Sequence, residues 1–242
     1  MAHVSGKRHL RRIAAPKTWF IPRKGSYWII RPTSNGYKFE YAMPILLWLR
    51  DYLKLVKDKR EAKYLLDTNK VLVNNKKIRD LGYNVGLFDV ISILPLNKHY
   101  RVVINKNEKL VLKEISENEK DLKLIRIVKK TMIKNGRIQV TGLDGSNFIM
   151  GDKDIKVGDS ILYNTKERKI EKIIRLKKNV LIYVYYGHKA GKMGRLSDIK
   201  ILHKPFGNNR LVEYLNLEEN KVEQTIFDYV VAIGEDKPVI TI

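Results

Sequence analysis

Val180-Leu181-Ile182-Tyr183-Val184-Tyr185-Tyr186 runs without interruption into Gly187-His188-Lys189-Ala190-Gly191-Lys192-Met193-Gly194-Arg195-Leu196. The first half is apolar, β-branched and aromatic, which predicts a buried strand. In the second half, Gly187, Gly191 and Gly194 permit positive φ and close backbone approach. His188, Lys189, Lys192 and Arg195 lie among them, a composition suited to a sugar–phosphate backbone. A nucleotide P-loop is excluded, because only three residues separate Gly187 from Gly191 and Met193 follows Lys192 where a hydroxyl is required. No GxGxxG sequence marks a dinucleotide site. Strands near Lys200–His203, Ile226–Ile233 and Val239–Ile242 are expected to close a small barrel beginning near residue 176.

Towards the N-terminus the chain stays rich in strands. Tyr100–Ile104 and Lys109–Ile115 predict a hairpin across Asn105-Lys106-Asn107. Ile125–Ile133, Ile138–Thr141 and Phe148–Met150 predict a meander turned at Asn135-Gly136 and Asp144-Gly145. Val157-Gly158-Asp159-Ser160-Ile161 places a turn before another strand. Residues 42–67 read as helical: Pro44 suits a first turn, and Ile45, Leu46, Leu49, Leu53 and Val56 form one apolar stripe. A second short helix turns Ala62, Leu65 and Leu66 inward and stops near Asn69. Val71-Leu72-Val73, a turn at Asn74-Asn75, the return Lys76-Lys77-Ile78 and a strand Val90–Leu94 then make a small sheet.

Charge is distributed unevenly. The first 39 residues hold nine Lys or Arg and no acid, whereas the rest holds 39 Lys or Arg against 26 acids, for a total of +22. Trp19, Phe20, Tyr27 and Trp28 are interleaved with those nine cations. A one-sign segment repels itself, so residues 1–39 are expected to order only against a polyanion, where each cation displaces a counterion and the rings can stack. The cations expected to touch nucleic acid are Lys7, Arg8, His9, Arg11, Arg12, Lys17, Arg23 and Lys24, together with the ring of Trp19. Arg50, Lys54, Lys57, Lys59, Arg60 and Lys63 on the helix pair, and Lys76 and Lys77 at the hairpin, extend the set. The glycine-rich loop completes it.

Absences narrow the chemistry. With no cysteine, disulfides, thiolate metal sites and cysteine nucleophiles are excluded. The histidines His3, His9, His99, His188 and His203 lack metal-ligand spacing, so no metal or cofactor is expected. No membrane-length apolar run or secretion signal is present, which predicts a soluble cytoplasmic chain. Gly194-Arg195-Leu196-Ser197-Asp198 resembles the start of a catalytic motif in some pseudouridine synthases. Those enzymes place Asp where Ser197 stands, so this reading is disfavoured, and no other catalytic constellation is visible.

The order of parts resembles the archaeal and eukaryotic small-subunit ribosomal protein S4e family over almost the whole chain. The matching residues include Lys7-Arg8-His9-Leu10-Arg11-Arg12-Ile13-Ala14-Ala15-Pro16-Lys17 with Trp19, and Pro44-Ile45-Leu46 through Leu49-Arg50. They continue with Asp89-Val90-Ile91-Ser92-Ile93, Ile155-Lys156-Val157 with Asp159, the loop at Gly187, Gly191 and Gly194, Val231-Ala232-Ile233-Gly234, and Lys237-Pro238. The resemblance implies an α+β, mostly β chain in four parts: a basic N-terminal extension (1–41), an αL-type RNA-binding module (42–105), a central β domain (106–175) and a C-terminal KOW/SH3-like barrel (176–242). It implies a structural, non-catalytic role on small-subunit ribosomal RNA beside neighbouring ribosomal proteins, without membrane, small-molecule substrate or homo-oligomer. Tyr186 stands where the family's usual Gly-Gly pair begins, and the chain lacks a eukaryotic basic tail, which points to the archaeal type. The rival readings are an RNA-modifying enzyme and a ribosome-associated KOW translation factor.

Overall fold

A computed structural model describes residues 9–33, 36–133, 136–151, 154–204 and 207–242, with backbone alone at 202–204 and 207–209. Asn135 of the expected Asn135-Gly136 turn, and His3, Lys7 and Arg8, lie outside the described residues. Three antiparallel five-stranded sheets dominate, so the chain is mostly β with few helices.

The first sheet lays Lys76–Lys77, Val71–Val73, Val90–Ile93, Lys98–Ile104 and Leu110–Ile115 side by side in that order. Its tight turn follows from Asn74 and Asn75, at φ 49° and 61°, because a two-residue hairpin needs left-handed backbone that asparagine tolerates. The boundary expected between 105 and 106 falls inside a hairpin of this sheet, which Leu110–Ile115 completes.

Residues 42–67 depart from the expected helix. Ala42–Pro44 pairs as a strand with Asn84–Gly86, and the helix proper begins at Ile45–Leu47. It widens into a π turn over Trp48–Tyr52, closed by Leu53 N–H donating to the Trp48 carbonyl at 2.9 Å, and ends where Lys54 adopts φ 53°. Met43, Ile45, Leu47, Trp48 and Leu49 have no exposed surface, so this segment is buried all round rather than striped. The second helix, Lys59–Asp67, forms as expected, with Ala62 and Leu66 buried, and the Glu61 carboxylate accepts from Lys57 N–H to close its first turn.

The second sheet runs Asn147–Met150, Ile138–Gly142, Leu122–Met132, Ser160–Asn164, Lys169–Ile174 around a small core of its own. The third runs Val222–Ile226, Gly207–Asn216, Met193–Lys204, Leu181–Val184, Val230–Gly234. The strand expected over Ile226–Ile233 is divided by a 3-10 turn at Phe227–Tyr229, and Val239–Ile242 forms no strand. Val239 N–H instead donates once to the Ile233 carbonyl, and Ile240 is buried.

One continuous apolar core reaches from Ala15 to Ile240. Buried polar groups bind the sheets to one another. Tyr183 Oη accepts from Ile104 N–H at 3.1 Å and donates to the Ile104 carbonyl. Arg126 donates through Nε to the Val230 carbonyl at 2.7 Å and through Nη2 to that of Phe227 at 3.1 Å. Lys123 sits between the carboxylates of Asp89 at 2.7 Å and Asp144 at 2.6 Å. With their donors satisfied, these cations stand inside the protein without an orphaned charge.

Over the described residues 9–33 and 36–39, the N-terminal segment corrects the expectation that it orders only against a polyanion. Leu10–Arg11 pairs with Trp28–Ile29, and Ala15, Trp19 and Ile29 enter the main core. Leu110 N–H donates to the Thr18 carbonyl, Thr18 Oγ1 to that of Glu40 and Trp19 Nε1 to that of Phe39. Like-charge repulsion is offset because the Arg12 and Arg23 guanidinium groups turn onto oxygens of their own segment.

Candidate nucleic-acid interface

The expected contact residues separate into three environments. In the first, the side chain is committed internally. Trp19 is 1% exposed, and Arg12, 7% exposed, donates to the Pro22 carbonyl at 3.0 Å and Ser26 Oγ at 2.9 Å. Arg23 clamps the carbonyls of Ala15 at 2.6 Å and Pro16 at 2.8 Å. Arg50 forms a two-point pair with Asp51, the shorter bond 2.9 Å. Sequence reasoning had no means of separating these from their neighbours, since an inward arginine and an outward one are spelled alike.

In the second environment the side chains stand outward and together. His9, Arg11, Tyr27 and Trp28 are exposed on the two-stranded ribbon. The Trp28 ring lies 5.3 Å from His9 and 4.7 Å, edge-on, from Tyr27, and the Arg11 guanidinium is 5.5 Å from the Tyr27 centroid. Lys17 and Lys24 are exposed on the same segment. The helix Lys59–Asp67 presents Lys59, Arg60 and Lys63 to a cleft of about 510 Å³, closed opposite by Arg79, Asp80 and Leu81. Lys63 Nζ donates to the Arg79 carbonyl at 2.8 Å and pairs with Asp67 at 3.1 Å, which fixes the cleft wall. Arg79 had escaped sequence reasoning because it stands past the hairpin return, next to Asp80, with no helical or strand pattern to place it; tertiary packing brings it to the helix. Lys54, Lys57, Lys76 and Lys77 are exposed elsewhere on the surface.

The glycine-rich loop is the third environment, and its cations are largely matched. Lys192 pairs with Glu223 at 2.7 Å and Glu219 at 2.9 Å, and Lys189 with Glu223 at 3.1 Å. Burial works against the Glu223 charge, but hydrogen bonds from Lys192, Tyr214, Lys189 and Asn216 outweigh it and hold that carboxyl at about 2. The bonds of Lys192 to Glu223 and Glu219 in turn raise its ammonium above the ordinary value. His188 is fully exposed, its Nδ1 3.8 Å from Glu108, and half-buried Arg195 has no ion pair among the described residues.

The glycines here answer to internal packing. A Cβ on Gly191 would stand 2.6 Å from both Asn105 C and Lys106 N of the neighbouring sheet, and one on Gly194 would stand 2.4 Å from the Tyr214 ring. Gly187 lies over the Tyr229 ring. Tyr186 belongs to the same seam, its ring 5.4 Å from Tyr41 and 4.9 Å from Tyr229. Asp198, the residue nearest to a synthase-type carboxylate, forms an ion pair with Lys178 at 3.0 Å. No described helix is long and apolar enough to cross a membrane.

Known proteins are similar to this chain over most or all of its length. The small ribosomal subunit protein eS4 of Nanoarchaeum equitans is 37% identical over 231 residues, covering 95% of this chain and 97% of that relative. The chain belongs to the ribosomal protein S4e family. The eS4 of Methanosphaera stadtmanae is 36% identical across 100% of this chain and 98% of its own length. The crystal structure of the 30S ribosomal protein S4e from Thermoplasma acidophilum superposes with a TM-score of 0.69 at 33% identity, covering 81% of this chain and 96% of that one. The family described as Ribosomal family S4e matches residues 96–170, and the RS4NT (NUC023) domain matches residues 5–35. These S4e relatives are archaeal and carry ribosomal-protein names rather than enzyme names, in keeping with the expectation of no catalysis.

Proposed function

We propose that this S4e-family chain is a structural constituent of the small ribosomal subunit in the cytoplasm and binds its RNA through several separate basic patches. The observation that carries this reading is the presence of two outward surfaces on one chain. One is the His9, Arg11, Tyr27 and Trp28 ledge; the other is the Lys59, Arg60, Lys63 and Arg79 cleft. The cleft supplies point charges and forks for phosphates, while the ledge supplies rings on which unpaired bases can stack. Each patch is weak alone, and a chain carrying both gains from high local concentration once one has docked. The remaining outward cations, including Lys17, Lys24, Lys54, Lys57, Lys76, Lys77 and His188, with half-buried Arg195, add phosphate contacts at the rim.

In this reading the first sheet, through its last strand Leu110–Ile115, belongs to an αL-type module, the second sheet is a central β domain and the third a KOW/SH3-like barrel. The barrel's loop lysines, already held by Glu219 and Glu223, serve chiefly to fix the loop. Neighbouring ribosomal proteins would complete the surroundings.

Filter binding of the full chain to small-subunit ribosomal RNA across a salt series tests the proposal. Submicromolar affinity at moderate salt, falling steeply as salt rises, is expected. Binding that is absent, or indifferent to salt, overturns the proposal, as does a chain that washes off small subunits like a loosely held factor.

A further inference from the structure

A cleft of about 340 Å³ opens beside the Asn74-Asn75 turn, at the edge of the central sheet. It exists because that sheet curls. Phe148 stands on the edge strand Asn147–Met150 and Tyr163 on Ser160–Asn164, with two strands between them, yet their rings lie 5.2 Å apart at 56°. Both rings are only half-buried, although each packs on the small core beneath. Aromatic surface has thus been gathered at a mouth rather than covered.

The walls above those rings are polar. Ser146, Asn147 and Thr165 line them, and Lys76 and Arg168 stand at the exposed rim. Neither rim cation has a carboxylate partner among the described residues. Lys123, deeper in the cleft, is already held by Asp144 and by Asp89 behind it. Arg168 adopts φ 57°, a conformation that a side-chain-bearing residue seldom takes. The turn that holds it there is fixed by the Asn164 side chain, which accepts from Lys166 N–H at 3.0 Å and Glu167 N–H at 3.1 Å. Local backbone strain of this kind is kept where surrounding structure enforces it.

An aromatic floor, amide and hydroxyl walls and cations at the lip match the chemistry of an unstacked nucleotide. Its base would lie on the rings, its edge would meet Asn147 and Ser146, and its phosphates would remain outside with Lys76 and Arg168. We infer that this cleft takes one extruded nucleotide of the bound RNA, an inference that rests on the RNA-binding role proposed above. The location of the cations selects a strand over a free mononucleotide. They sit at the rim, where a chain can enter and leave, and no glycine-rich cradle surrounds a terminal phosphate within.

The test uses the full chain and a small-subunit ribosomal RNA transcript. Phe148→Ala should weaken binding by about tenfold, the order expected for one lost base stack, with the salt slope unchanged because no charge is removed. Phe148→Tyr and Tyr163→Phe keep the rings and should bind as the parent does. Arg168→Gln should lower the salt slope by about one. Ultraviolet crosslinking of the unmodified complex should join a nucleotide to the peptide containing Phe148 or to that containing Tyr163, a readout that stands even if Phe148→Ala fails to fold. Parent-like binding by folded Phe148→Ala, or no crosslink to either peptide while RNA is bound, overturns the cleft and leaves the RNA-binding role intact. A parent chain that ignores the transcript overturns both. Adenosine and uridine monophosphate titrations followed by NMR separate the two sources of nucleotide: millimolar or weaker binding supports a strand-borne base, whereas saturation below about 10 µM identifies a free-nucleotide pocket and overturns the proposal.

Discussion

The Arg101 guanidinium, which has no exposed surface, donates through Nη1 to Glu119 Oε2 at 2.7 Å. The same arginine reaches the carbonyls of Thr241, Glu119 and Leu122, each at 3.0 Å, while Thr241 N–H and Oγ1 donate back to Glu119. One cation thereby joins the first sheet, the entry to the second and the C-terminal residues. Burial lowers the basicity of Arg101, and it also opposes the Glu119 charge, but the bonds from Thr241 and Arg101 hold that carboxyl below its ordinary value. The two groups are therefore both ionised at neutral pH, since arginine starts far above it.

Arg101→Met should destabilise the protein by about 3 kcal/mol, because Glu119 and three carbonyls lose their shared partner in a largely dry setting. Urea denaturation followed by circular dichroism measures this; a change under about 0.5 kcal/mol, the scatter of ordinary surface changes, would count against the junction.

Gly191→Ala should cost more than Gly136→Ala. Both residues are left-handed, at φ 79° and 67°, but a Cβ at 191 meets backbone at 2.6 Å whereas one at 136 meets nothing within 4 Å. About 1–2 kcal/mol is expected at 136 from conformation alone, and a clearly larger loss at 191. Equal melting temperatures for the two variants would contradict the packing of the loop on Asn105 and Lys106.

Glu223 carries an acid-side dependence. Its carboxyl sits at about 2 in the folded protein against an ordinary 4.5, so its stabilisation is fully present above the unfolded value and disappears as pH falls towards 2. Thermal melts of the parent and Glu223→Gln between pH 6 and pH 2 should show the parent's advantage shrinking over that interval. A constant difference would mean that the ion pairs with Lys189 and Lys192 are not responsible.

Arg79→Gln and Lys59→Gln should each lower the salt slope of RNA binding by about 0.7–0.9, with little effect on folding. Both side chains face the cleft beside the helix, so their removal together should roughly double the change. Filter binding across a salt series reads this directly.

Two tryptophans of one segment should behave in opposite ways. Trp19→Ala empties a buried site and should cost about 3–5 kcal/mol of stability. Trp28 is 52% exposed, so Trp28→Ala should leave the melting temperature near the parent's while weakening RNA binding about tenfold through lost stacking. Comparable unfolding in both variants would refute the division of labour.

Much of the sheet structure was legible locally. The Asn74-Asn75 and Asp144-Gly145 turns, the hairpin ending in Leu110–Ile115 and the Leu181–Val184 strand all appear where alternation and turn residues put them. Periodicity misled in part at residues 42–56, where an apolar stripe read as a long helix is a strand, a short helix widening into a π turn and a left-handed break. Residues 42–49 there are all buried, so packing decides their path and a one-sided stripe carries little information.

Charge count, the absence of cysteine, turn chemistry and strand alternation are written in the sequence, and they specified a basic, strand-rich chain; its likeness to the S4e family rested on particular matching stretches such as Lys7–Lys17 and Asp89–Ile93. Which arginine faces inward was decided only by the folded protein. Arg12 is held by the Pro22 carbonyl and Ser26 Oγ and Arg23 by the carbonyls of Ala15 and Pro16, while Arg11 and the distant Arg79 are left outside. A cation's partner is set by what the fold brings within about 3 Å of it, and that distance is written nowhere along the chain.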